Sequence, residues 1–121
     1  MSKTLAKFGL AALAIASLST EAFAHAHLKS SVPADKSTVA APQELDLTFS
    51  EELNLKFTGV KVTGPNKSAI KTGDAMLMDG KVGLMVPVSE KLGPGTYDVE
   101  WHALSADGHK TSGTFTFTVK P

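Results

Sequence analysis

Polar and apolar residues alternate strictly along Glu44-Leu45-Asp46-Leu47-Thr48-Phe49, and again along Tyr97-Asp98-Val99-Glu100-Trp101 and Thr114-Phe115-Thr116-Phe117-Thr118-Val119. A period of two puts one set of side chains inward and the other outward, which predicts three half-buried strands. With Tyr97, Val99 and Trp101 inward, Asp98, Glu100 and His102 face solvent. Val60 and Val62 flank Lys61 in a shorter piece of the same kind. Val82 to Val88 is almost continuously apolar, which predicts a strand covered on both faces, with Pro87 at an edge or a strand end. Turn chemistry separates these runs: Gly64-Pro65-Asn66-Lys67, Asp79-Gly80 as a short hairpin signal, and Gly93-Pro94-Gly95. Ser50-Glu51-Glu52-Leu53 is expected to cap a single helical turn. No long helical period occurs. The pattern predicts an all-β antiparallel sandwich or Greek-key barrel.

The first residues follow different rules. Lys3 and Lys7 precede the uncharged run Phe8 to Leu18, and Ala22-Phe23-Ala24 follows as a cleavage pattern. These are the parts of a secretory signal peptide, and the run is shorter than the roughly 20 residues that span a bilayer. The expected organisation is a signal peptide over 1–24 and one β-domain over 25–121. The mature chain is then exported, periplasmic, without stable membrane insertion, and begins at His25.

Composition narrows the chemistry. The whole chain of 121 residues has 12 Lys and no Arg, 12 acidic residues, 4 His and no Cys, with zero formal charge. The charge balance argues against a nucleic-acid binder, which usually shows a strong basic excess. Lack of Cys excludes a disulfide scaffold, a zinc-thiolate site, an iron–sulfur cluster and a cysteine nucleophile.

The remaining candidates are donors of nitrogen and oxygen. A free α-amine has a pKa of about 7.7–8.0 and yields its proton to a metal readily. The amine of His25 and its own Nδ1 can close one chelate ring on Cu(II), an ion that favours nitrogen ligands in a tetragonal array. His27 offers a competing mode, in which the amine, two backbone amides and the third-residue imidazole wrap Cu(II) or Ni(II). Far along the chain, Asp107 and His109 share a face of Ser105-Ala106-Asp107-Gly108-His109-Lys110, with Gly108 permitting a tight turn. If the first strand runs beside that loop, the donors of His25, Asp107 and His109 converge. The plainer alternatives are a frayed N-terminus and an ordinary Asp-Gly turn. His102 reads as a solvated surface residue. Met76, Met78 and Met85 read as core filling, with thioether ligation of Cu(I) as the alternative.

These pieces resemble the copper resistance protein C (CopC) family. The resemblance lies in His25-Ala26-His27-Leu28, Ser31-Val32-Pro33-Ala34, Pro42 with Glu44 to Glu51, Leu92 to Tyr97, and Trp101 through Ser105-Ala106-Asp107-Gly108-His109 to Val119. It covers essentially the whole mature chain. It implies an immunoglobulin-like Greek-key β-sandwich or barrel of about seven strands. It also implies periplasmic Cu(II) binding by His25, Asp107 and His109, with the role of His27 open. Some members bind Cu(I) through a methionine-rich loop with several spaced Met, a pattern from which Met76, Met78 and Met85 depart. Members often work beside an inner-membrane copper transporter of the CopD type.

The leading expectation is a monomeric copper carrier or buffer in copper homeostasis or resistance, and not an enzyme. One alternative is a histidine-brace copper oxygenase, against which Asp107 argues by occupying the oxygen position, as does the scarcity of aromatic residues for a glycan surface. The other is a metal-independent immunoglobulin-like interaction module, which would present an edge strand.

Overall fold

The computed structural model describes residues 26–121. The expected signal peptide over 1–24 and the side chain of His25 lie outside the described residues. In chain order the strands are β1 (Leu28–Val32), β2 (Ser37–Val39), β3 (Glu44–Phe49), β4 (Gly59–Thr63), β5 (Met76–Met78), β6 (Gly83–Pro87), β7 (Gly95–Leu104) and β8 (Lys110–Val119). They form two four-stranded sheets, ordered β1-β3-β6-β5 and β2-β8-β7-β4. All pairings are antiparallel except β2 with β8. From β1 to β5 the chain changes sheet at every connection, so the two layers are interleaved as expected for a Greek-key sandwich. Among the described residues eight strands stand where about seven were expected, and the two shortest, β2 and β5, have three residues each.

The alternation along β3, β7 and β8 becomes the core. Leu45, Leu47 and Phe49 face Val99, Trp101, Phe115 and Phe117 across the two sheets, all buried. Asp98, Glu100 and His102 are exposed on the outer side of β7, as the sequence predicts. Phe49 meets Trp101 edge-on with ring centroids 5.2 Å apart, and Tyr97 stacks on Phe117 at 5.3 Å. Such pairs contribute about 0.5–1.5 kcal/mol each beyond burial. The Tyr97 hydroxyl donates to the Gly93 carbonyl at 2.7 Å, so its polar tip is satisfied where β7 begins. Opposite Trp101 stands Gly113, where a Cβ would come within 2.7 Å of the indole. Only glycine lets β8 pass so close to that ring.

Three expectations are corrected. β6 is covered on one face only: Leu84 and Val86 are buried, while Met85 looks outward and is half-buried. Pro87 closes the strand, as anticipated. The methionines do not fill the core. Met76 is 49% and Met78 37% exposed, and between them Leu77 turns inward to pack on the core. Met76 pairs directly with Met85, so all three thioethers share the outer face of the first sheet. The predicted helical turn at Ser50 to Leu53 is absent, because tertiary bonds claim that backbone. Leu53 N–H donates to Lys81, and the Glu52 carbonyl accepts from Ala106. The turn forms one step later as a 3-10 turn at Leu55–Phe57, capped by the Asn54 side chain.

One end of the sandwich gathers the chemistry. β1 begins there at Leu28, opposite the end of β3 at Phe49, and β7 ends at Leu104 opposite the start of β8 at Lys110.

Candidate metal centre

The loop between β7 and β8 is a tight hairpin built around one buried hydroxyl. Ser105 is 2% exposed. Its amide donates to the His109 carbonyl at 2.9 Å, and its carbonyl accepts from the Gly108 amide at 2.9 Å. The Ser105 hydroxyl accepts from the His109 amide at 3.1 Å and donates to Asp107 Oδ1. Gly108 takes a φ of +96°, a conformation that side-chain-bearing residues avoid, and so allows the reversal. The loop is fastened to the neighbouring segment by Ala106 N–H to Glu52, Asn54 N–H to Leu104, and a bridge between Leu53 and Ser105.

Within this frame Asp107 Oδ1 lies 3.1 Å from His109 Nδ1. Both side chains remain about half exposed, at 52% and 47%. The Ser105 hydroxyl, and next the His109 ring, hold the Asp107 carboxyl below the usual carboxylate range. A carboxylate oxygen this close to Nδ1 restrains the orientation of the imidazole.

The start of the described chain is held against the same end. Ala26 is fully buried. Its carbonyl accepts from the Thr111 hydroxyl at 2.8 Å, across 85 positions of sequence. The next residue is held twice: His27 N–H donates to Ser50 Oγ at 2.9 Å, and the His27 carbonyl accepts from Ser50 N–H at 2.9 Å. The His27 side chain is exposed and lines a shallow hollow with Leu28, Trp101, Lys110 and Gly113.

The structure therefore brings Asp107 and His109 together, and anchors Ala26 to Thr111, two residues from His109. His102 stays on the outer face of β7 with its ring against Gly59. Met76, Met78 and Met85 stand on the outer face of the other sheet. Among the described residues no three His, Asp or Glu side chains cluster tightly enough to hold a metal by themselves. Two contributors escaped the sequence reading. Ser105 was visible only as part of a motif, yet it is the hub of the loop; Thr111 gave no signal, since its bond to Ala26 is tertiary.

An eight-stranded sandwich with an imidazole–carboxylate pair on a hydrogen-bonded rim loop defines a small β-domain suited to nitrogen and oxygen coordination. The family is fixed by comparison: the CopC domain profile matches residues 28–120, and the chain belongs to that family. It is 44% identical over 116 residues to Protein YobA of Escherichia coli strain K12, covering 94% of each chain. It is similar to the crystal structure of PcoC, a methionine-rich copper resistance protein from Escherichia coli, with a TM-score of 0.72 and 40% identity over 80% of this chain and all of that one. It is also 31% identical over 99 residues to Copper transport protein CutJ of Bacillus subtilis strain 168, spanning 80% of this chain and 18% of that longer protein. No helix among the described residues is long and apolar enough to cross a membrane.

Proposed function

We propose that the chain, once it begins at His25, is a periplasmic Cu(II) carrier that loads its cargo at this rim. The observation that carries the reading is the bond between Thr111 and the buried Ala26. That bond fixes Ala26 beside the start of β8, and adjacent Cα atoms are separated by about 3.8 Å, so a chain that begins one residue earlier would bring its terminal donors to this rim. The donor set is then the amine and imidazole of His25, a ring nitrogen of His109, and a carboxylate oxygen of Asp107. It is free of sulfur and suits Cu(II) in a tetragonal field. Export supplies the amine, because within a precursor that nitrogen is an amide.

Capture needs deprotonated nitrogen donors, and release is favoured by acid or by a competing acceptor. The acceptor we favour is an inner-membrane copper transporter of the CopD type. Support comes from the relative named Copper transport protein CutJ, in which a segment like this chain forms 18% of a much longer protein. A second reading concerns the cuprous ion. The exposed Met76 and Met78 and the half-buried Met85 share one face and offer thioethers that soft monovalent copper prefers.

The test is titration of Cu(II) into the chain starting at His25, following Trp101 fluorescence and the cupric EPR signal. One-to-one saturation with a nitrogen and oxygen spectrum is expected. His109→Ala is expected to weaken binding by about 100-fold or more. One extra residue before His25 is expected to do the same by converting the amine to an amide. Unchanged affinity in both variants would refute the site built from two ends of the chain.

A further inference from the structure

Two coordination modes compete at this N-terminus, and the fold discriminates between them. In the wrapped mode the metal takes the His25 amine, the amide nitrogens of Ala26 and His27, and the His27 imidazole, all in one plane. Each amide gives its proton to solvent and its lone pair to the metal. That mode requires the 26–27 backbone to leave the sandwich. The structure holds the segment by its polar groups: the Ala26 carbonyl on the Thr111 hydroxyl, the His27 amide on Ser50 Oγ, and the His27 carbonyl on the Ser50 amide. Ala26 itself has no exposed surface. The nitrogen that wrapping would recruit from His27 is already a donor to Ser50.

We infer that Ser50 and Thr111 are the specificity-determining residues of the copper site, a two-point clamp that blocks the wrapped chelate and so obliges the metal to draw on His109. Neither residue touches the metal; both are positioning residues acting through the backbone of Ala26 and His27. The clamp has a consequence for metal choice. Wrapping takes Ni(II), in a square-planar, diamagnetic, yellow form, as well as the more tightly bound Cu(II). An intact clamp denies Ni(II) that geometry, whereas Cu(II) accepts the open set of amine, imidazoles and carboxylate. The inference rests on the Cu(II) reading above and deepens it.

The experiment compares the chain from His25 with its Ser50→Ala/Thr111→Val double variant, using Cu(II) and Ni(II) separately as probes. Near-UV circular dichroism and Trp101 emission confirm that each protein is folded. Two side-chain hydrogen bonds are lost, so the equilibrium between modes is expected to shift roughly 30-fold toward wrapping. The double variant should form yellow square-planar Ni(II), move its Cu(II) absorption toward the stronger field of four nitrogens, and lose its sensitivity to His109→Ala. Ser50→Thr and Thr111→Ser keep the hydroxyls and should restore the parent spectra, which loss of packing alone would not predict. A folded double variant with parent spectra overturns the clamp. So does a parent protein that already binds Ni(II) in the square-planar form. Failure of the functional reading shows differently, as parent Cu(II) binding that ignores both His109→Ala and an added N-terminal residue.

Discussion

The rim loop and the methionine face are both exposed, both border the same sandwich, and are built on opposite plans. At the rim, side chains are fixed by hydrogen bonds to a buried hydroxyl: Ser105 holds Asp107 and the His109 backbone, and Asp107 holds the His109 ring. On the face of β5 and β6 only the ladder is fixed. Met76 and Met85 stand opposite one another, but their unbranched thioethers keep rotational freedom. Beside them Glu44 has its carboxyl pushed up, first by a hydrogen bond with Asp46 and then by its charge. The rim is a preorganised set of nitrogen and oxygen donors; the face is an adaptable set of sulfur donors. One domain thus separates by position the ligand types that the two oxidation states of copper prefer.

This contrast can be broken most forcefully at its hub. Ser105→Ala leaves the His109 amide and the Asp107 carboxylate without their partner, and should weaken Cu(II) binding by about 10- to 100-fold, as loss of an orienting group typically does. A chelator-competition titration measures this, and an unaffected affinity would show that the rim is not preorganised. The same substitution removes the buried hydroxyl that accepts from the His109 amide and should destabilise the domain by about 1 kcal/mol in chemical denaturation.

A smaller effect is expected from acid, and its sign follows from Asp107. Its folded-state pKa is depressed by Ser105 and then His109, so the stabilisation it provides is complete above the ordinary carboxylate value of about 3.9 and is lost as pH falls through the lower folded value. Amine and imidazole donors in general take up protons at much higher pH. Copper should therefore leave while the loop is still internally bonded. Circular dichroism of the apoprotein should not change across the release midpoint, and coincident transitions would contradict a rim held independently of its cargo.

The smallest expected effect lies on the other face. Replacing Met76, Met78 and Met85 together by Leu should change Cu(II) affinity by less than about twofold, since none belongs to the rim. Binding of Cu(I), measured by competition with a cuprous chelator, should fall in the same protein. A loss of Cu(II) affinity instead would merge the two regions into one site.

The layers of this fold were legible because long strands repeat their signal. β3, β7 and β8 alternate over enough residues to declare both faces. β2 and β5 are too short to show a period, and hydrophobicity alone places Met76 and Met78 in the core, although the inward position on that strand belongs to the partly buried Leu77. Asp107 and His109 could be read from their spacing, because Gly108 between them is local chemistry. The bonds that position them against the start of the chain could not be. Thr111 meets Ala26 across 85 residues and Ser50 meets His27 across 23, and no local pattern encodes such pairs. The Ser50 segment misled for the same reason: its capping side chain is spent on His27, and the neighbouring backbone on β7 and on the β5–β6 turn.

For the site proposed at this rim, the burial of Ala26 would also turn the domain into a length gauge. With that residue pinned, the number of residues preceding it sets how far a terminal amine stands from His109. One residue more or fewer moves the amine by up to about 3.3–3.6 Å, well beyond the tolerance of a metal–nitrogen bond of about 2 Å. On that proposal, a protease that trims one position early or late would release a folded sandwich whose rim could not close on its cargo, and accuracy of processing, not folding, would separate working molecules from idle ones.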